Sequence, residues 1–153
     1  MMRRYSSFGA LARALERAAD RMQLVMGVTA EKGALMVQSI ARQKIGHYQE
    51  AVGPFPEWAP LAESTEAEKA RLGFSTGAPL LRTGDLRKSI EAHSSPLGFR
   101  VGSKLDIAAY QEFGTEHIPP RPFLGPALLE STPEVLKMVG KNIEANLAGK
   151  EME

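Results

Sequence analysis

Three histidines, His47, His93 and His117, are the side chains of this 153-residue sequence best suited to hold a metal or move a proton, and they fall in three separate segments. None has a second His, Asp or Glu at helical ligand spacing with a matching partner group elsewhere, so no zinc-type pattern is present. The absence of cysteine excludes thiolate ligands, disulfides and a thiol nucleophile. Gly98-Phe-Arg-Val-Gly102 and Gly73-Phe-Ser-Thr-Gly77 are glycine-spaced but bulky, and neither opens a helix with Lys-Ser/Thr as a phosphate cradle requires. There is no Gly-x-Ser-x-Gly elbow. Glu112 and Glu116 stand four apart, as a carboxylate dyad on a helix would, but Gly114 interrupts them. The expectation is a chain that is not an enzyme, with no catalytic residues, no metal and no cofactor.

Arg13, Arg17 and Arg21 recur every four residues and form one basic ridge on a helix, with Arg3 and Arg4 just upstream. Such a ridge can touch phosphates without reading bases. It lacks the interleaved aromatics of a single-strand groove. Residues 1–52 carry eight Lys/Arg against four Asp/Glu, and residues 129–153 carry three against five. That asymmetry can steer contacts between copies, or favour weak DNA contact by the N-terminal part.

The elements that would position these residues follow from periodicity and punctuation. Residues 1–52 contain no proline. Phe8, Leu11, Leu15, Ala18, Met22 and Val25 form one helical stripe, and Val37, Ala41, Ile45 and Tyr48 form a second. Gly27 to Gly33 is a weak point between them, so two helices or one bent helix are predicted, ending before Gly53-Pro54. Residues 53–62 hold three prolines and read as an extended loop. Thr65-x-x-Glu68 resembles a capping box for a short helix that Gly73 closes. Leu80-Leu81 leads into a Thr83-Gly84-Asp85 turn that sets the direction of a following strand, with Ile90 and Ala92 alternating against Glu91 and His93. Pro96-Leu97-Gly98 turns the chain into the return strand Phe99-Arg100-Val101. Asp106 is expected to cap a short helix carrying Ile107, Tyr110 and Phe113 and stopped by Gly114. Residues 119–126 read as extended. The last helix is predicted over 132–148, with Thr132 as cap, Pro133 at the first position and a stripe of Leu136, Val139, Ile143 and Leu147. The class is α+β: N-terminal helices, a small mainly antiparallel sheet and a C-terminal helix, in one domain spanning 1–153.

Composition agrees with a globular domain: 43% hydrophobic, 24% charged and a net charge of +1, which disfavours a general polyanion binder. No apolar run is long enough to span a membrane or make a signal peptide. The expectation is a soluble, unexported protein made in a reducing cytoplasm, with no membrane partner.

Two stretches are more specific than their composition. One is Pro79-Leu-Leu-Arg-Thr-Gly-Asp-Leu-Arg-Lys-Ser-Ile90. The other is Ala109-Tyr-Gln-Glu-Phe-Gly-Thr115, followed by Ile118-Pro-Pro-Arg-Pro-Phe-Leu-Gly-Pro-Ala-Leu128. In this order they resemble the small tail-completion and head–tail joining proteins of long-tailed bacteriophages. The virion morphogenesis proteins of Mu-like phages look similar, and there Trp58-Ala-Pro-Leu with Lys69 also finds an echo. The resemblance covers residues 55–130; Pro126, just after Leu124-Gly125, departs from the Mu-like pattern and points to the lambdoid-type branch.

That resemblance implies a virion protein of the neck or tail, synthesised in the host bacterial cytoplasm. It would form a homo-oligomeric, hexameric ring around the DNA channel and contact neighbouring neck or tail proteins. The alternatives are a DNA-contacting module that uses the Arg13/Arg17/Arg21 ridge, and a tail-assembly chaperone absent from the virion. For the motif residues a structural role is expected. Gly84 supplies the turn, and the flanking Arg82 and Arg87 bridge to carboxylates. Gly114 ends its helix abruptly, and Arg121, fixed between prolines, pairs with Glu112. Phe113, Phe123 and Leu124 are apolar candidates for subunit contact, with Phe123 and Leu124 serving either the chain's own core or a neighbour.

Overall fold

The computed structural model describes residues 4–149, so Arg3 lies outside the described residues. Ser7 opens the first helix, α1 (Phe8–Lys44), its hydroxyl accepting from the Ala10 N–H at 3.1 Å. At 37 residues α1 is about 55 Å long. It runs unbroken through Gly27 and Gly33, contrary to the predicted weak point. The reason is packing. A Cβ at Gly33 would stand 2.9 Å from the Phe99 ring, so glycine there admits a neighbouring strand and does not break the helix. The helix also stops well before Gly53: Lys44 is its last residue and Gly46 turns the chain at φ 99°.

The Pro-rich stretch is an irregular loop, as expected, pinned by a bridge between Val52 and Phe55. The next helix, α2 (Glu63–Arg71), starts three residues earlier than a Thr65 cap requires, and Ala62 stands at its cap position without a side-chain bond. Its end follows the prediction. Gly73, at φ 75°, and Phe74 return their N–H groups to Ala70 and Lys69, satisfying two terminal carbonyls.

The Thr83-Gly84-Asp85 turn leads into a one-turn helix, α3 (Asp85–Ser89), and not directly into a strand. Gly84 at φ 85° opens it, with the Lys88 N–H donating to the Gly84 carbonyl at 3.0 Å. Ile90 ends that helix fully buried. The antiparallel hairpin then appears where alternation placed it: β1 (Glu91–Ser95) pairs with β2 (Gly98–Gly102), Ala92 opposite Val101. Together with the helices this makes the α+β class.

Helix α4 (Asp106–Phe113) begins with Leu105 at the cap position, and Asp106 is its first helical residue. The predicted stripe is wrong for this helix. Ile107, Tyr110 and Phe113 are exposed, Phe113 to 80%, and Ala108 is the residue turned inward. The last helix, α5 (Leu124–Ala148), starts eight residues before Thr132 and runs through Pro133. Pro126 is tolerated because it is third in the helix, where an N–H would have no intrahelical acceptor. At Pro133 the ladder loses one bond, and the Ser131 and Thr132 hydroxyls both donate to the Leu128 carbonyl, at 3.0 and 2.7 Å.

Helices α1 and α5 run antiparallel: Ala18 meets Asn146, Thr29 meets Asn142 and Lys44 meets Glu130. The core gathers where the hairpin and loops cover the C-terminal half of α1. Val37, Ala41 and Ile45 from the predicted second stripe pack there with Trp58, Leu86, Ile90, Ala108, Phe123 and Ala127. Burying Phe123 alone is worth about 2–3 kcal/mol. Further along the pair, α5 turns Asn142 and Asn146 inward; of the predicted stripe, Val139 and Ile143 are half-buried, whereas Leu136 and Leu147 are more than half exposed.

Candidate functional site

The two motif stretches and the Trp58 loop meet at one place, the hinge between α4 and α5 and the cleft beside it. Gly114 makes the hinge. It lies at φ 77°, and a Cβ on it would be 3.0 Å from the Ile118 carbonyl oxygen and the Pro120 ring, so no other residue fits without a shift. The reversal is held by the Thr115 N–H donating to the Ile118 carbonyl at 2.8 Å and by the Thr115 hydroxyl accepting from His117 and Ile118.

Glu112, on the last turn of α4, aims its carboxylate at the start of α5. One oxygen accepts from the Phe123 and Leu124 N–H groups at 2.8 and 2.9 Å, and the other from Gly125 at 2.7 Å. The next residue is Pro126, which has no N–H. Every orphan donor at the helix start is thus satisfied by one carboxylate, and its charge sits at the positive end of the helix dipole. Gly125 is required: a Cβ there would come within 2.5 Å of the Phe55 ring and 3.1 Å of Glu112. The expected Glu112–Arg121 pair is therefore not formed, because the carboxylate is fully engaged by backbone donors.

Arg121 turns the other way and is buried. Its Nε and Nη2 donate to the Ala59 carbonyl at 3.1 and 3.0 Å, and Nη2 also reaches Pro60 at 3.0 Å. Trp58 completes the clamp, its indole N–H donating to the Pro122 carbonyl at 3.0 Å. Two proline-rich segments with few N–H groups of their own are thus tied together by side-chain donors. Burial pulls the Arg121 guanidinium below its ordinary pKa, an effect opposed by Tyr48.

The adjoining cleft, of about 550 Å³, is lined by apolar side chains such as Leu61, Leu80 and Leu81 and by polar groups that include Lys69 and Arg121. Lys69 is buried and donates to the Ala78 carbonyl at 2.6 Å, holding the segment before the Thr-Gly-Asp turn. Arg82 bridges to Glu68 at 2.7 Å at the rim, as expected, and lies over the Phe74 ring at 5.2 Å. Arg87 does not bridge to a carboxylate. It donates to the Ile45 carbonyl at the end of α1, a position that favours a cation.

The hinge brings together Glu112, Gly114, Arg121, Phe123 and Leu124, and the cleft rim adds Arg82 and Gly84. Phe123 belongs to the core and Leu124 packs against it, whereas Phe113 points to solvent. The basic ridge stands apart on α1, where Arg13 and Arg17 are exposed and Arg21 donates to the Asn146 carbonyl at 3.3 Å. The histidines are not brought together; His93 faces Glu91 at 3.4 Å on the hairpin. Among the described residues no group of three or more His, Asp or Glu side chains could hold a metal ion, and no helix is long and apolar enough to cross a membrane.

Sequence reasoning missed the pair at 2.7 Å between buried Lys44 and exposed Glu130, although Lys44 continues the stripe of Val37 and Ala41, where a charge demands a partner. It also missed Gln38 and Arg42, which both donate to the Ile90 carbonyl, at 2.7 and 2.8 Å.

A model of the phage virion morphogenesis family matches residues 7–148, extending the likeness beyond the motif region into α1 and through α5. No curated protein sequence and no solved structure matches the chain.

Proposed function

The chain belongs to the phage virion morphogenesis family, and we propose on that basis that it is a non-enzymatic structural component of the neck or tail. In this reading it completes the tail and joins it to the head as a homo-oligomeric ring, of six copies, around the DNA channel. The observation that carries the reading is how the motif residues are used. Glu112, Arg121 and Lys69 are spent on backbone groups, closing a helix start and clamping loops that cannot bond to one another. A rigid hinge of this kind suits a part that must keep its shape under the pressure of packaged DNA.

The test is a phage carrying a nonsense mutation in this gene, grown without suppression and viewed by electron microscopy. Filled heads and separate tails are expected in the lysate, and purified protein added back should restore joined particles. A normal yield of joined, infectious particles without the protein would overturn the reading.

A further inference from the structure

A second cleft, of about 450 Å³, lies where the end of α1 meets α3, and it is polar. Gln38, Ser39, Arg42 and Gln43 line it from α1, with His47 just beyond the Gly46 turn and Arg87 on α3. Among the described residues, three buried side-chain polar atoms have no hydrogen-bond partner, and two of them are the Nε atoms of Arg42 and Arg87. Each guanidinium spends Nη2 on a backbone carbonyl, Arg42 on Ile90 at 2.8 Å and Arg87 on Ile45. Those acceptors are neutral. No acidic side chain lines the cleft, and among the described residues neither arginine forms an ion pair.

Buried N–H groups without an acceptor are rare, and two of them on cations of one cleft call for a shared anion. The other lining groups narrow its chemistry. Ser39 Oγ accepts from Gln43 Nε2 at 3.2 Å, which leaves the Ser39 O–H to donate. The exposed His47 ring adds an N–H. A cation has no charged ligand here, and an apolar group would leave every donor unmet. A carboxylate brings only two oxygens and one charge. A phosphate group brings more acceptor oxygens and a charge of up to about −2, which matches two guanidinium forks.

We propose that this cleft binds a phosphate group, gripped by Arg42 and Arg87 and hydrogen-bonded by Ser39 and His47. It supplies Arg87, a residue of the Pro79–Ile90 stretch, with the anionic partner that the chain itself does not provide. Inorganic phosphate and the backbone of DNA offer the same oxyanion, and experiment separates them. The site stands independently of the ring reading, which the yield of joined particles tests.

Inorganic phosphate is titrated into the full chain by calorimetry and thermal melting, with chloride at matched ionic strength as reference. Saturable binding is expected, with a melting temperature that rises with phosphate and not with chloride. The deciding variant is Gln43→Glu, isosteric and at an exposed position, so its helical circular dichroism should match wild type. Its carboxylate takes the place of the anion. Phosphate affinity should fall at least roughly tenfold, and without phosphate the variant should melt above wild type. A short duplex without terminal phosphates identifies the source. If it competes with phosphate on the wild type and binds Gln43→Glu more weakly, the site takes the DNA backbone. If it does neither while phosphate binds, the site takes the free ion. Binding of neither phosphate nor duplex would overturn the proposal. Binding that Gln43→Glu leaves unchanged would overturn it as well, since that marks a general salt effect or contact at the Arg13/Arg17/Arg21 ridge.

Discussion

Asn142 of α5 donates to the Thr29 hydroxyl of α1 at 2.9 Å, and that hydroxyl in turn donates to the Val25 carbonyl at 2.7 Å. One turn further along α5, Asn146 donates to the Ala18 carbonyl at 2.8 Å. These buried bonds fix how far one helix can slide along the other, because a slip by one turn would leave each amide unpaired. Asn142→Ala is expected to cost about 1–3 kcal/mol in urea denaturation. Replacing both partners, as Thr29→Val with Asn142→Leu, should cost less than the sum of the single changes, because no polar group is then left unpaired. A strictly additive double-mutant cycle would show that the two side chains do not act together.

Glu112 and the start of α5 give a second prediction. Glu112→Gln keeps one acceptor oxygen, which can serve the Phe123 and Leu124 N–H groups, but loses the charge and the acceptor for Gly125, at a cost of about 1–2 kcal/mol. Glu112→Asp should be no better, since the shorter side chain cannot span the hinge. Amide exchange at Phe123, Leu124 and Gly125 should speed up more than exchange elsewhere in α5. Unchanged protection at these three amides in Glu112→Gln would contradict the cap.

Arg121 gives a third. Arg121→Ala leaves the Ala59 and Pro60 carbonyls without donors, and a loss of about 2–3 kcal/mol is expected, with protein still soluble and head–tail joining impaired. Arg121→Lys should recover only part, because one ammonium cannot reproduce the fork that meets both carbonyls. Thermal melting and the yield of joined particles measure the two effects. Wild-type values for Arg121→Ala in both would refute the clamp.

The glycines of α1 offer a paired comparison. Gly33→Ala must push the Phe99 ring away and should destabilise by about 1–3 kcal/mol. Gly27→Ala meets only Pro96, at 3.9 Å, and should stabilise by roughly the helix-propensity difference of up to 1 kcal/mol. The same substitution six residues apart is thus expected to move the melting temperature in opposite directions, and a matching shift at both positions would count against the packing account.

Periodicity and punctuation made the hairpin, the Gly73 and Gly114 stops and the Val37/Ala41/Ile45 core legible in the sequence. The failures share one physical cause. At Gly33, Leu124 to Pro133 and the Leu136 stripe, local signals were read correctly for an isolated helix but were overruled by partners distant in sequence. Phe99 explains the glycine, Glu112 supplies a cap that residues 119–126 do not contain, and α1 accepts the polar face of α5. The motif stretches singled out Arg121 and Glu112, yet not what they bind, because their acceptors and donors are backbone groups that leave no mark in sequence.

Pairing α1 with α5 also has a consequence for synthesis on the ribosome. Thr29 waits for a partner 113 positions later, and Ala18 for one 128 positions later. Non-local contacts of this kind slow folding, since the chain must close its largest loop before they form. The first helix to emerge is therefore among the last to be secured.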